Sequence, residues 1–467
     1  MKKLLRILFL LQFIDICNLQ AQPLSLVITK AQNESMKAKQ SDAQKLISQF
    51  SFNAYRANYK PQVSFYSNIP VYNKDNFQVV QPDGSIKFLN RSQNNSSLGF
   101  SFSQPLAFSG GNISLNTDLS RFDDLNAKYT QYNGTPVFIL LNQPLFAFNQ
   151  YKWDKKIEPL KLEESKRAHT MEMASIAIDI TKLYFDILEA QNDIELAKSN
   201  LHNADTNYSI EKRRLQLGAS TEDKLLQVEL QQLQSKQQIE QANYSFQSAQ
   251  QNLRSYLGTN DNYEPVLPER IKEINITLQE ALDLANQHRP EFLSFERKRL
   301  EAESNAAKIK ADKRQINLTA SYGLNKAADN LAGIYQNPND QQRFSLGVTV
   351  PIADWGRQKT RYAVAKTEEK LIGYSNKIDE ANDVTEITNL INSFSSLKNN
   401  INLAQLTDTI AQKRFVITNR LYQLSKASIL DLQVAQNEKD NAKRNYLSAV
   451  RTYWEAYYLL KKLTLLD

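Results

Sequence analysis

The 467-residue chain contains one cysteine, three histidines, 12 glycines and 13 prolines, and each scarcity excludes something. The cysteine, Cys17, sits in a segment that opens with Lys2, Lys3 and Arg6. It continues through the apolar run 7–11, Phe13 and Ile14, and ends in Leu19-Gln20-Ala21. This reads as a secretory signal peptide over residues 1–21, cleaved after Ala21. Asp15 and Ile16 precede Cys17 where a lipid-anchor signal wants small or apolar residues, which argues against lipidation. With that segment removed no thiol remains, so disulfides and thiolate chemistry are excluded. His169, His202 and His288 are scattered, without the spacing of a metal site or of a base beside a nucleophile, and read as ordinary polar positions. No phosphate-binding loop occurs, and Gly110-Gly111 reads as a turn. The net charge of +7 comes from Lys and Arg interspersed with Glu and Asp, with no basic patch interleaved with aromatics, so nucleic acid is not indicated. No stretch after the signal reaches the about 18 consecutive apolar residues of a membrane helix, so any membrane crossing must be made by strands.

Proline is also absent from 160–264 and from 352 to the end, and glycine appears there only at Gly218, Gly258, Gly356 and Gly373. Both stretches are therefore free to be helical for most of their length. A mean hydropathy of −0.52 fits long solvated helices better than several compact cores. Ile176, Ile180, Leu183, Ile187, Ala190, Ile194, Ala197, Leu201, Ala204 and Tyr208 follow at spacings of four and three, a heptad seam that calls for partner helices. A helix over 149–217 is on the order of 100 Å long. A second helix is expected to return through Leu226, Leu230 and Leu233, then Ile239, Ala242, Phe246, Ala249, Leu253 and Tyr256. Residues 218–221 form the tip, with Thr221 as N-cap.

Between the helices the period changes to two. Ile316, Leu318, Ala320 and Tyr322 alternate with Asn317, Thr319 and Ser321, and Phe344, Leu346, Val348 and Val350 with Ser345, Gly347 and Thr349. The same alternation occurs over 63–69, at Leu98, Phe100 and Phe102, over 113–119 and over 137–141. An apolar face rich in Phe and Leu, following a signal peptide, favours a membrane barrel over a soluble sandwich.

A repeat joins the two textures. Residues 142–152, with Pro144, resemble residues 349–359, with Pro351, each closing a strand and opening a long helix. One displacement places Arg213 on Arg420, Leu217 on Leu424, Gly218 on Ser425 and Thr221 on Ser428. Upstream, residues 24–31 resemble residues 278–285 at a larger displacement, so the first copy holds an insertion before Pro144. Gln104-Pro105-Leu106 is a further copy of the strand-ending motif within it, and the insertion reads as an added β-hairpin.

These residues carry a resemblance. A helix opening Leu278-x-x-Ala281-Leu282-x-x-Ala285 is followed by strands ending in Pro-hydrophobic, a long helix, a tip of the Gly-x-x-Ser-x-x-Asp type and a returning helix, all twice. Over nearly the whole mature chain this resembles the TolC-like outer-membrane factors. The implied fold is mainly α with a β-barrel portion, in two tandem repeats of helix, strand, strand, long helix and helix, repeat one over 22–275 and repeat two over 276–467. A homotrimer is implied, sharing one β-barrel in outer-membrane lipid, continued by a coiled helical tube into the periplasm. The implied partners are a periplasmic adaptor and an inner-membrane pump or secretion ATPase, and the family catalyses nothing itself and uses no cofactor or metal. Cargo in the family ranges over drugs, metal ions and polypeptides, and its choice lies largely with the pump and adaptor. The resemblance puts Tyr422 at the position of a gate tyrosine and Asp431 at that of a constriction aspartate. Ala427 and Val434 depart from the family's gate arginine and second aspartate, which leaves Arg420, Lys426 and Lys224 as auxiliary gate charges. Adaptor contact is implied at Leu215, Gly218, Thr221, Leu421, Ser425 and Ser428. A rival reading, a periplasmic structural or adaptor coiled coil without a channel, predicts a soluble protein without lipid-facing strands, and the repeated strand pairs argue against it.

Overall fold

The computed structural model describes residues 22–268, 272 and 274–465, so the expected signal peptide and Cys17 lie outside the described residues. Two compact units are present. One draws on the N-terminal residues up to Lys45, on Lys166–Pro290 and on Glu380–Asp467; the other is Leu46–Ser165 with Glu291–Asp379.

Helices α1 (Leu24–Glu34) and α2 (Met36–Ala57) come first, then the strands β1 (Gln62–Asn68), β2 (Tyr72–Val80), β3 (Ile86–Leu106), β4 (Gly111–Asp124) and β5 (Tyr129–Leu145). The long helix α3 (Gln150–Gln216) and the return helix α4 (Glu222–Leu257) follow. The order then recurs as α5 (Leu278–His288), α6 (Pro290–Ala311), β6 (Gln315–Ala328), β7 (Asn339–Thr349), α7 (Arg357–Gln423) and α8 (Ile429–Thr464). Both long helices have 67 residues, about 100 Å each. Both return helices have 36.

The first helix pair breaks at Ser35, whose extended backbone ends α1 while its Oγ accepts the N–H of Ala38. The second breaks at Arg289, followed at once by Pro290, a residue suited to a helix's first turn because it has no N–H to leave unpaired. Helix α5 begins with a capping box, in which Thr277 accepts the N–H of Glu280 and the Glu280 carboxylate accepts the N–H of Thr277.

The helical unit is held by one main cluster. Val27, Ile28 and Ala31 of α1 pack with Ile176, Ile180, Phe185 and Ile187 of α3, Leu253 and Leu257 of α4, and Leu447, Val450 and Trp454 of α8. The buried Tyr184 hydroxyl, with one proton to share, lies 2.8 Å from the Gln22 carbonyl and 2.7 Å from the Val266 carbonyl and accepts the Val266 N–H, tying two connecting segments to α3.

Two helical expectations are corrected. In α3, Leu183, Ile194, Leu201 and Tyr208 are only half-buried, whereas Asn192, Asn200, Asn207 and Glu211 are buried. In α4, Leu226, Leu230 and Leu233 are exposed, and Val228, Gln231 and Ser235 face inward instead. An apolar period identifies a stripe that wants covering, without saying which molecule covers it.

All strands of the other unit belong to one antiparallel sheet, in the order β1-β3-β4-β5-β6-β7. Strands β1 and β2 lie one after the other along the same edge of β3, opposite residues 97–103 and 86–94, while β4 takes the other edge. The sheet is thus six strands wide. The residues expected to form an added hairpin are paired into it edge to edge.

Candidate functional site

Directly paired residues share a face of a sheet, so the register fixes what each face presents. One row runs Val63, Phe102, Leu115, Ile139 and Tyr322 through five strands, and a neighbouring row runs Ile113, Leu141, Ala320 and Phe344. Most of these side chains are exposed, together with Phe65, Phe100, Leu346 and Val348. The opposite face presents Ser64, Ser101, Asn116, Ser321 and Arg343. Aromatic rings lie over glycines on this polar face. A Cβ at Gly99 would stand 2.5 Å from the Tyr66 ring, and one at Gly323 would stand 2.3 Å from Phe138 Cβ, so the ring can cross its neighbour only where there is no side chain. An exposed apolar face this wide is unstable against water and stable against lipid. Among the described residues no helix is long and apolar enough to cross a membrane.

The second site is the pair of helix-hairpin ends in the helical unit. Gly218 and Ser425 both have left-handed backbones, at φ +70° and +62°. Their turns match bond for bond. The Gly218 N–H donates to Leu215 O at 3.0 Å and Ala219 N–H to Arg214 O at 2.8 Å; Ser425 N–H donates to Tyr422 O at 2.9 Å and Lys426 N–H to Leu421 O at 2.8 Å. Each turn thereby satisfies carbonyls that the helix end leaves without partners.

Tyr422, the expected gate tyrosine, is buried at 3% exposure in a small core with Phe415, Leu432 and Ala435. Its hydroxyl donates to Glu211 Oε2 at 3.0 Å. Arg214 donates to the same carboxylate at 3.0 Å, stacks over the Tyr422 ring at 5.3 Å, and donates to the carbonyls of Tyr422 and Gln423 at 2.9 and 3.1 Å. A guanidinium on the last carbonyls of α7 also complements the negative end of that helix. Ser220, in the first turn, donates to Glu211 as well.

Burial alone would push the Glu211 carboxyl up, but hydrogen bonds from Ser220 and Tyr422 and the charge of Arg214 outweigh it and hold the group below its usual range. Burial and the neighbouring Glu211 charge push the Tyr422 phenol up, keeping it a donor. Arg214 and Glu211 occupy the positions that Leu421 and Thr418 hold in the second hairpin; that charge asymmetry between otherwise matching repeats was the sequence signal for them.

Asp431 is exposed and closes a capping box at the start of α8: Ser428 Oγ donates to it at 2.6 Å, and the Ser428 N–H does so at 3.0 Å. The Ser428 hydrogen bonds hold its carboxyl below the usual range. In the first hairpin Thr221 occupies the N-cap without a side-chain cap bond, and Lys224 stands where Asp431 does, with no oxygen to complete a box. Arg420, Lys426, Lys224, Gly218, Thr221, Leu421, Ser425 and Ser428 are exposed, and Leu215 is half-buried. Leu217 and Leu424, equivalent under the repeat, are both exposed.

Above the tips a polar layer interrupts the packing. Asn200 donates to Asp440 at 2.5 Å, Lys439 pairs with Asp440 at 3.1 Å, and the Lys439 ammonium lies 4.5 Å from the centre of the Phe415 ring, all with side chains almost fully buried.

The outer membrane efflux protein family matches residues 29–259 and 281–464. No curated protein matches the sequence. Among solved structures, a membrane protein from Pseudomonas aeruginosa is similar at a TM-score of 0.69 and 14% identity, over 94% of this chain and 90% of that one. The outer membrane protein VceC from Vibrio cholerae gives 0.67 and 13%, over 94% and 95%. The CmeC outer membrane channel of Campylobacter jejuni gives 0.68 and 14%, over 94% and 85%. At these identities the structural likeness speaks for the fold alone. The family match covers most of the sequence; the chain, with an antiparallel sheet in one unit and two repeated helical hairpins in the other, belongs to the outer membrane efflux protein family, whose members are outer-membrane channels.

Proposed function

We propose that three copies of this chain form an outer-membrane export channel that receives cargo from a periplasmic adaptor and an inner-membrane pump or secretion ATPase. The observation that carries this reading is a set of heptad-spaced apolar stripes left bare on single helices. On α7, Leu403, Leu406, Ile410 and Ile417 are exposed, and on α4, Leu226, Leu230 and Leu233. Seams of this spacing bury themselves against other helices, and copies of the same chain around an axis supply them.

The hairpin ends are the proposed periplasmic entrance. The Tyr422, Glu211 and Arg214 cluster ties the second hairpin to the first and holds the closed arrangement. Asp431, exposed and kept ionised by its Ser428 bonds, supplies one carboxylate per copy to an acidic ring that favours cations, with Arg420, Lys426 and Lys224 as flanking charges. The exposed Leu217 and Leu424, with Leu215, Gly218, Thr221, Leu421, Ser425 and Ser428, are the proposed adaptor-docking tips. The test is native mass spectrometry of the purified protein together with planar-bilayer recording. Trimers with discrete, cation-selective conductance are expected, and Asp431→Asn should reduce the selectivity. A monomer that fractionates with periplasmic contents would leave the coiled-coil reading standing instead.

A further inference from the structure

The sheet consists of three hairpins with a shared base. The first, β1 and β2 with β3, ends in Gln104-Pro105-Leu106; the second, β4 with β5, ends in Gln143-Pro144-Leu145; the third, β6 with β7, ends in Val350-Pro351-Ile352. In the first two the glutamine makes the same pair of bonds. Gln104 donates to Pro105 O at 2.9 Å and back to Tyr59 O at 3.0 Å, just before β1; Gln143 donates to Pro144 O at 2.9 Å and back to Ser109 O at 3.1 Å, just before β4. Past each base stands an aromatic side chain turned almost wholly to the outside: Phe108 at 86%, Phe146 at 86% and Trp355 at 98% exposure. Aromatic residues at such a height are the mark of a membrane interface.

One apolar row crosses all three hairpins in direct register: Val63 and Phe102 of the first, Leu115 and Ile139 of the second and Tyr322 of the third. Phe100, on the same face as Phe102, stands opposite Thr117 at the bulge of β4. Above Leu98, strand β3 turns polar over residues 90–97, where Arg91 pairs with Asp124 at 3.5 Å and Arg121 with Asp123 at 2.9 Å. From the Pro105 base to those charges is about 12 residues of strand, roughly 30 Å after allowance for tilt, the thickness of a bilayer core.

Six antiparallel strands give the sheet two edges of opposite direction. Both edge strands, β1 and β7, are exposed along their whole length. In lipid such edges leave backbone N–H and C=O groups without partners, and an even strand count lets copies join head to tail with the alternation unbroken.

Resting on the trimeric reading above, we infer that every copy places all six strands in the membrane, so that β7 of one copy pairs with β1 of the next and the wall closes at eighteen strands. A barrel of that count, tilted by about 40°, is about 35 Å across between backbones; setting one hairpin aside would leave twelve strands and about 24 Å. The extra hairpin therefore widens the pore instead of decorating its mouth.

The experiment uses single-cysteine variants Phe100→Cys, Leu115→Cys, Ser101→Cys and Ile139→Cys, nitroxide-labelled and reconstituted in phosphatidylcholine vesicles. Labels at 100 and 115 should collide with dissolved oxygen and be shielded from a water-soluble nickel chelate to the same degree as the label at 139, while the label at 101 should show the reverse. Oxidation of the doubly substituted Ser64→Cys/Ser345→Cys protein should give covalent trimers. If native mass shows trimers and the label at 139 is lipid-protected while those at 100 and 115 are open to the chelate, the eighteen-stranded wall is wrong and the channel reading survives. If no trimer forms, both fall.

Discussion

The Tyr422 hydroxyl lies 3.0 Å from a Glu211 carboxylate oxygen, 211 positions away along the chain, and Arg214 grips that carboxylate and the Tyr422 carbonyl together. One contact point thus holds the ends of α3 and α7 through a hydrogen bond to a charge, an ion pair and a stacked ring.

Tyr422→Phe keeps the ring and removes the donor. A hydrogen bond to a charged acceptor contributes about 1.5 to 3 kcal/mol, and 1.4 kcal/mol is a factor of ten in a population. Single-channel recording should therefore show open probability rising at least about tenfold. Glu211→Gln should act in the same direction, because Arg214 loses its counter-charge; unchanged closed times in both variants would remove the cluster from gating.

The lock should respond to acid and be indifferent to neutral pH. The Glu211 carboxyl is held below its ordinary 4.5, so its stabilising contribution is complete above that value and is lost as pH falls through the lower folded value. The Tyr422 phenol is raised above its ordinary 10.0, so its contribution is complete below 10 and disappears only in strong alkali. Closed-state occupancy should be flat from pH 5 to 9 and decline below about 4, with the decline absent in Glu211→Gln.

Ser425 occupies a left-handed position that its equivalent fills with Gly218. A side chain in that region costs about 1–2 kcal/mol, partly offset by the greater unfolded-state freedom of glycine. Ser425→Gly should stabilise the protein by up to about 1 kcal/mol in denaturant melts. Ser428→Ala, which removes the cap, should destabilise it by about 1 kcal/mol.

The buried Lys439, Asp440 and Asn200 layer should tolerate replacement as a set better than piecemeal. Asp440→Ala leaves the Lys439 ammonium buried without its counter-ion and should cost about 3 kcal/mol or more. The double change Lys439→Met/Asp440→Leu should recover most of that loss in the same melt.

The fold was legible wherever a period reflected contacts within the chain. Strands β3 to β7 followed from alternation and most of each long helix from the proline-free stretches, α3 running on through Pro159. β2 did not, because its first half, Tyr72–Asn76, is polar and exposed, and only Phe77 and Val79 alternate, too short a stretch to read. The seam assigned to Leu226, Leu230 and Leu233 has the right spacing, yet it is bare, since spacing records that a stripe needs cover and not where the cover comes from. At the tips the repeat located the matched turns and the family resemblance pointed to Tyr422, whereas Glu211 and Arg214 escaped notice because comparing repeats emphasises what they share, and these two are what they do not.

The matched turns at Gly218 and Ser425 have one more consequence. Each bend is closed by the same two backbone bonds, while Leu217, Leu424 and Lys426 beside the turns are exposed. If the tips receive an adaptor, as proposed, they are a fixed socket with rewritable lettering: residues such as Leu217, Lys426 and Leu424 could drift with a changing partner while the helices beneath keep their register.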